Sequence, residues 1–377
     1  MNFFKKIFLT IVTLSIIASL SIAFTGCPKA VTEEPTEPEA ATTEEPTVTE
    51  EATPAEKVEF KAAMATDVGK LGDKSFNDGV YAGLEKAEAE LGVEIDVVMS
   101  EQQTDYVPNL TKLAEDGNDI IFAVGFMMTD SIKEVAEKFP DTYFVGVDIS
   151  LADADFNPID VPNVREILYK EQEAGYLAGV FAGLMTKEDS VDGINSDNVI
   201  GCVAGMKIPP VDRWIAGYIA GAKSVNPDIK VELTYTETFT DVALGKESAL
   251  AQYEAGADII FQVAGLTGVG VFEAAADTEH FAIGVDVDQS IISPDNAPVI
   301  LTSAEKFLTQ TTFWAIKDAL EGNFTGGDMA YRLENDGVGI SPFHEHEDIV
   351  PQEIKDTIEK AKQDIIAGTI VPPEVVE

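Results

Sequence analysis

The sequence predicts an α/β protein of two similar doubly wound lobes, each built on a parallel sheet, joined by a hinge of several chain segments. Three observations lead there. The chain runs to 377 residues, more than one ordinary core accommodates, so two lobes are the starting expectation. Apolar runs of strand length alternate with amphipathic helical stretches from Val58 onward, which implies parallel strands with helical crossovers. The same order of elements then recurs at a nearly constant offset.

In the first half the strand candidates are residues 60–65, 95–99, 120–124 and 143–147, with a helical pattern such as 131–139 between them. Asp119-Ile120-Ile121-Phe122-Ala123-Val124 is echoed by Asp258-Ile259-Ile260-Phe261-Gln262-Val263, and Gly146-Val147-Asp148 by Gly284-Val285-Asp286. Tyr81-Ala82-Gly83 and Tyr218-Ile219-Ala220-Gly221 fall at almost the same spacing. Three coincidences in register indicate an internal duplication. Doubly wound domains bind ligands at the carboxyl ends of their strands, so two of them facing one another would form a cleft from those ends.

Beyond Asp286 come a strand at 299–302, a helix at 307–320, an extended stretch at 329–339 and a closing helix at 351–367. These are too few for a third domain and are expected to return to the first lobe and then complete the second. The expected division is residues 58–165 plus about 287–325 for the first lobe, and 166–286 plus about 326–377 for the second.

The chain opens with Lys5 and Lys6, an uncharged apolar run from Ile7 to Ala23, and then Phe24-Thr25-Gly26-Cys27. Basic, then apolar, then small residues is the order of a signal peptide, here 1–26; an uncleaved membrane anchor is the alternative. The stretch resembles the lipobox of bacterial lipoproteins, in which the Cys is acylated, with Phe24 where that pattern usually has Leu. Cys27 is thus the expected lipidation site. Residues 27–57 are almost wholly Glu, Thr, Pro and Ala, a composition that cannot bury enough surface to offset ordering entropy and reads as an extended tether. The formal charge of −42 makes nucleic acid or an anionic lipid surface an unsuitable partner. Apart from Cys27 the sole cysteine is Cys202, in an apolar run, which excludes an internal disulfide in the folded part and reads as structural.

The polar, glycine-bearing loop Asp67-Val68-Gly69-Lys70-Leu71-Gly72-Asp73-Lys74-Ser75-Phe76-Asn77 follows the first strand. Ser75 suits a helix N-cap. Neither capping nor core packing explains so many Asp, Ser and Asn residues beside an aromatic. No G-x-S-x-G, G-x-x-x-x-G-K-[ST] or H-E-x-x-H occurs, so the common nucleophile, phosphate and zinc arrangements are missing. His344-Glu345-His346-Glu347-Asp348 lacks helical i, i+4 spacing and reads as a solvated turn rather than a metal site.

The run Asp67-Val68-Gly69, then Asp73-Lys74-Ser75-Phe76-Asn77 and Gly83-Leu84, resembles the signature of the basic membrane protein family, the PnrA-like nucleoside-binding lipoproteins. Gly245-Lys246-Glu247, Gly256-Ala257-Asp258, Gly284-Val285-Asp286-Val287-Asp288-Gln289 and Thr302-Ser303 with Lys306 agree with it, from about Phe60 to Ala367. The resemblance implies a type I periplasmic-binding-protein fold and a purine clamped between two aromatic rings, here Phe76 and Phe239, with Trp214 as the rival for the second face. It further implies Asp148 against the base, Asp286 and Lys306 on the ribose with the lysine's charge stabilised by Asp286, contacts from Asp67 and Asn77, and the Gly265 backbone closing around the ligand. No catalysis, cofactor or metal is expected. The expected partners are a purine nucleoside, an ABC-type permease and a membrane reached through the lipid on Cys27, with a monomeric, extracytoplasmic protein. A sugar-binding protein of the same fold, a surface signalling or adhesion lipoprotein and, more distantly, a nucleoside hydrolase are the alternatives.

Overall fold

The computed structural model describes residues 57–153, 155 and 157–376. The leader, nearly all of the tether and Cys27 lie outside the described residues.

The first sheet contains β1 (Lys61–Ala65), β2 (Glu94–Val98), β3 (Ile120–Val124), β4 (Tyr143–Val147) and β5 (Val164–Tyr169), with a late strand, β11 (Gly327–Tyr331), at its edge. Its order is β11-β5-β4-β3-β1-β2, parallel throughout. The central strands β1, β3 and β4 are almost wholly apolar on both faces because helices cover both. Ala62 and Met64 of β1 join Ile120, Phe122 and Val124 of β3 against Val80, Leu84 and Ala87 of α1 (Phe76–Leu91). Their neighbours Ala63, Ala65, Ile121 and Ala123 face the other way, onto Leu110 and Leu113 of α2 (Tyr106–Glu115) and Ile132 and Val135 of α3 (Thr129–Lys138). That alternation is the two-residue period of a strand.

The second sheet repeats this plan with β6 (Val199–Ala204), β7 (Lys230–Tyr235), β8 (Ala257–Val263), β9 (Phe281–Asp286), β10 (Ile300–Lys306) and β12 (Val338–Ile340), in the order β12-β10-β9-β8-β6-β7. Read from the opposite edge, β7-β6-β8-β9-β10-β12 corresponds strand for strand to β2-β1-β3-β4-β5-β11. The repeated Asp-Ile-Ile-Phe runs are β3 and β8, and the repeated Gly-Val-Asp runs end β4 and β9. Only β12 is antiparallel to its neighbour.

Behind the second sheet α4 (Glu171–Met185) crosses α5 (Pro209–Val225) with almost no gap. Gly175, Gly179 and Gly183 recur at i, i+4 on α4. A Cβ on Gly179 would lie 2.0 Å from the Tyr218 carbonyl oxygen of α5, so the backbones touch because these positions have no side chain. The second lobe also contains α6 (Val242–Glu254), α7 (Val269–Thr278), the short α8 (Gln289–Ile292) and α10 (Gln352–Ile366), whose Ile354, Ile358, Ala361 and Ile365 are buried.

The chain crosses between lobes three times, later than expected each time. The expected break at 165/166 falls inside β5, and the first crossing is at Lys170 between β5 and α4. The second was expected near 287. Instead the chain stays in the second lobe through β10, which pairs with β9 as the repeat counterpart of β5 and buries Ile300, Leu301 and Ala304 there. It leaves after Lys306 with α9 (Leu308–Leu320), whose Thr309 hydroxyl donates to the Gly79 carbonyl of α1 at 3.0 Å. The return, expected at about 326, follows β11, because that strand completes the first sheet beside β5.

Candidate functional site

The carboxyl ends of both sheets open onto one cleft enclosing about 570 Å³ of non-atom space, part of it continuous with solvent. All eight residues expected from the sequence line it: Asp67, Phe76, Asn77 and Asp148 from the first lobe, and Phe239, Gly265, Asp286 and Lys306 from the second. Trp214 lines it as well, so the two rivals for the second aromatic wall are both present.

The loop after β1 is organised by the buried Asp73 carboxylate. Asp73 Oδ1 accepts from the backbone N–H of Ser75 (3.0 Å) and Asp78 (3.1 Å), while its Oδ2 accepts from the Asn77 backbone (2.9 Å) and Asn77 Nδ2 (3.0 Å). These bonds satisfy the orphan donors at the start of α1. Asn77 Nδ2 also donates to Asp67 Oδ1 at 3.1 Å. Burial pushes the Asp67 carboxyl up despite the donors from Gly69 and Asn77, and pushes Asp73 up to about 7. Ser75 stands at the N-cap position, but its side chain makes no cap bond. Its hydroxyl reaches across the cleft and donates to Asp286 Oδ2 at 2.6 Å, because Asp73 has already taken the capping role.

Asp148, directly after β4, and Asp286, the last residue of β9, have φ of 60° and 68°. This left-handed backbone is uncommon for a side-chain-bearing residue, and its occurrence at both repeat-equivalent positions turns both carboxylates into the cleft. Between them stands Lys306 at the end of β10, only 3% exposed. Asp286 helps to stabilise the charge of Lys306, as expected, but is not its direct partner. Lys306 Nζ donates to Asp148 Oδ2 at 2.6 Å, across the lobes, and lies 3.0 Å from Glu171 Oε1, while Asp286 bonds Ser75. Burial opposes the lysine's charge, but Asp148, Glu171 and Asp286 outweigh it and hold its pKa above the ordinary value. Burial raises Asp148, against Lys306, and raises Asp286 likewise. Lys306 also lies 5.1 Å from the Phe76 ring centroid, a cation–π distance.

Two members of this network escaped the sequence reading. Glu171, fully buried at the first position of α4, binds Arg213 through Nε (2.5 Å) and Nη2 (3.2 Å). Burial pushes Glu171 up, yet Lys306 and Arg213 together hold it below the ordinary carboxylate value. The available signal was an acidic residue opening an apolar, glycine-rich helix, and a lone arginine preceding Trp214. Gln289 was read as part of a family motif only; its Nε2 donates across the lobes to the Lys74 carbonyl at 2.7 Å.

The His344–His346 turn is less solvated than expected. His344 Nε2 lies 2.6 Å from Asp288 Oδ2, and His346 is buried edge-on to Phe281. No group of three or more potential metal ligands occurs among the described residues. Cys202 is buried in β6, where desolvation raises its thiol.

Two duplicated α/β lobes with a polar and aromatic cleft between their strand ends define a solute-binding protein of the periplasmic-binding-protein fold. A solved ABC transporter system solute-binding protein from Aeropyrum pernix K1 superposes with a TM-score of 0.75 at 28% identity, covering 83% of this chain and 94% of that one. The family profile described as ABC transporter substrate-binding protein PnrA-like matches residues 60–375. The ABC transporter nucleoside-binding protein BmpA of Lactococcus lactis is 33% identical over 337 residues, covering 84% of this chain and 90% of its own. An uncharacterised lipoprotein of Pyrococcus abyssi is 36% identical over 295 residues, covering 75% and 69%. The chain belongs to the Bmp family of ABC transporter substrate-binding proteins.

Proposed function

We propose that this protein captures a purine nucleoside in the cleft and delivers it to an ABC-type permease, held at the outer face of a membrane by lipid on Cys27. The observation that carries the ligand class is the pairing of aromatic faces from both lobes, Phe76 with Phe239 and Trp214, with buried carboxylates that accept hydrogen bonds from sugar hydroxyls and base N–H groups. Stacking on an aromatic is worth roughly 1–3 kcal/mol per base and suits any base with a π-face. The nucleoside-binding relative from Lactococcus lactis supports the class, and the lipoprotein from Pyrococcus abyssi supports the anchor. Asp148 and Asn77 meet the base, Asp286 and Lys306 the ribose, and the lobes close around both.

Calorimetry on protein lacking the residues before Val58 tests the ligand. Purine nucleosides bind and free ribose does not, since a sugar alone forgoes both aromatic faces. Phe76→Ala weakens binding by roughly 1–3 kcal/mol with the fold intact. Comparable affinity for free ribose, or a destabilised Phe76→Ala variant whose folded fraction binds with parental affinity, would defeat this reading.

A further inference from the structure

Resting on the nucleoside reading above, we propose that the first lobe's wall selects the base by its N–H donors, so that guanosine and inosine are preferred over adenosine. The argument is a census of hydrogen-bonding capacity on that wall. Four polar side chains of the first lobe line the cleft: Asp67, Asp73, Asn77 and Asp148. Both oxygens of Asp73 are occupied by the loop. Asp67 Oδ1 is occupied by the Gly69 N–H and Asn77 Nδ2, which leaves its Oδ2 without a protein donor. Asp148 Oδ2 is taken by Lys306, and its Oδ1 is buried without a partner. Asn77 Nδ2 donates to two carboxylates, so the amide cannot flip without setting its oxygen against both. Asn77 Oδ1 therefore stays buried and unpartnered.

Every open side-chain valence of these four residues is thus an acceptor: Asp67 Oδ2, Asn77 Oδ1 and Asp148 Oδ1. The wall's sole side-chain N–H donor, Asn77 Nδ2, is spent internally. Asp67 and Asp148 follow β1 and β4, which flank β3 in the sheet, so the row extends over two strand spacings, about 10 Å. Gly125 directly follows β3, and a Cβ there would sit 2.8 Å from Asp67 Oδ2; its absence keeps the row open.

A buried acceptor is satisfied by a donor or left unpaired, and a site built to bind an N–H rejects the analogue that lacks it. Guanine offers N1–H and the N2 amino group on adjacent atoms, and hypoxanthine offers N1–H. Adenine sets the N1 lone pair beside its one amino group, which leaves one acceptor of the row facing another lone pair.

The test is calorimetric titration of the full chain in detergent micelles with guanosine, inosine, adenosine and 1-deazaadenosine, in which a C–H replaces the N1 lone pair. Guanosine is expected to bind at least tenfold more tightly than adenosine, with inosine between them, and 1-deazaadenosine more tightly than adenosine. Adenosine within twofold of guanosine, with both binding tightly, overturns the donor rule and leaves the nucleoside reading standing. Failure of all four to bind removes both. Asp148→Asn, which replaces one acceptor by an amide able to turn either way, is expected to bring the guanosine-to-adenosine ratio down at least threefold; an unchanged ratio in a folded variant that still binds also overturns the rule.

Discussion

Lys306→Met isolates the network at the centre of the cleft. The methionine keeps the length and apolar stem of the lysine and removes only the charge. Two contacts disappear, at 2.6 Å to Asp148 and 3.0 Å to Glu171. Glu171 retains Arg213, but Asp148 then has no partner for either oxygen, since its Oδ1 was already unpaired. Removing one member of a buried ion pair costs about 3–5 kcal/mol, most of it from the charge left behind. Denaturant unfolding at neutral pH should show a loss of that order, with a lower midpoint and an unchanged slope. The loss should also depend on pH. Without Lys306 the folded-state pKa of Asp148 lies further above its unfolded value, so stability is full below the unfolded pKa, near 4, and is lost as pH rises through the folded one. Acidification therefore shrinks the gap between variant and parent. In an Asp148→Asn background the same lysine change should cost about 2 kcal/mol less, because no charge is stranded. The reasoning fails if Lys306→Met costs under about 1 kcal/mol in both unfolding and nucleoside affinity, or if the cost is the same with Asn at position 148.

Ser75→Ala removes a 2.6 Å hydrogen bond to a carboxylate across the lobes, worth about 1.5–3 kcal/mol when made to a charged group. The expected outcome is a roughly tenfold or greater loss of nucleoside affinity with a larger radius of gyration for the ligand-free protein in small-angle scattering; no change in either would show that the bond does not hold the lobes together. Glu305 has no ion-pair partner among the described residues, and burial together with Asp288 pushes it up to about 8. Its raised pKa means that stability is present below about pH 4 and lost as pH rises towards 8, so Glu305→Gln should match the parent at low pH and exceed it by about 1–2 kcal/mol at pH 8.5, discounted for partial exposure. Superimposable pH profiles in denaturant titrations would contradict this.

Much of the architecture was legible in the sequence because it follows from local rules. Strands covered on both faces must be apolar throughout, which marks Ile120–Val124 and Ala257–Val263, and a duplicated gene product must place Asp148 and Asp286 at equivalent strand ends. The same symmetry made it possible to expect a shared cleft, while the family resemblance supplied the eight expected residues, all of which line it. The crossings were misplaced because neither strand 300–306 nor strand 327–331 carries in its own sequence a mark of the sheet it joins; only the pairing partners decide that.

The pairing of charges depended on tertiary structure alone. Lys306 and Asp148 stand 158 residues apart and meet only when the two lobes face one another, so nothing local in the sequence marks them as partners. Ser75 obeys local capping statistics until Asp73 satisfies the helix end and frees its hydroxyl for the opposite lobe. Glu171 carries no motif; it matters because a lysine and an arginine from elsewhere in the chain converge on it in a space that water does not reach. Periodicity and repetition are properties of the chain and can be read from it, whereas the partner of a buried charge is a property of the assembled volume, set by which groups are left to satisfy one another once solvent is excluded.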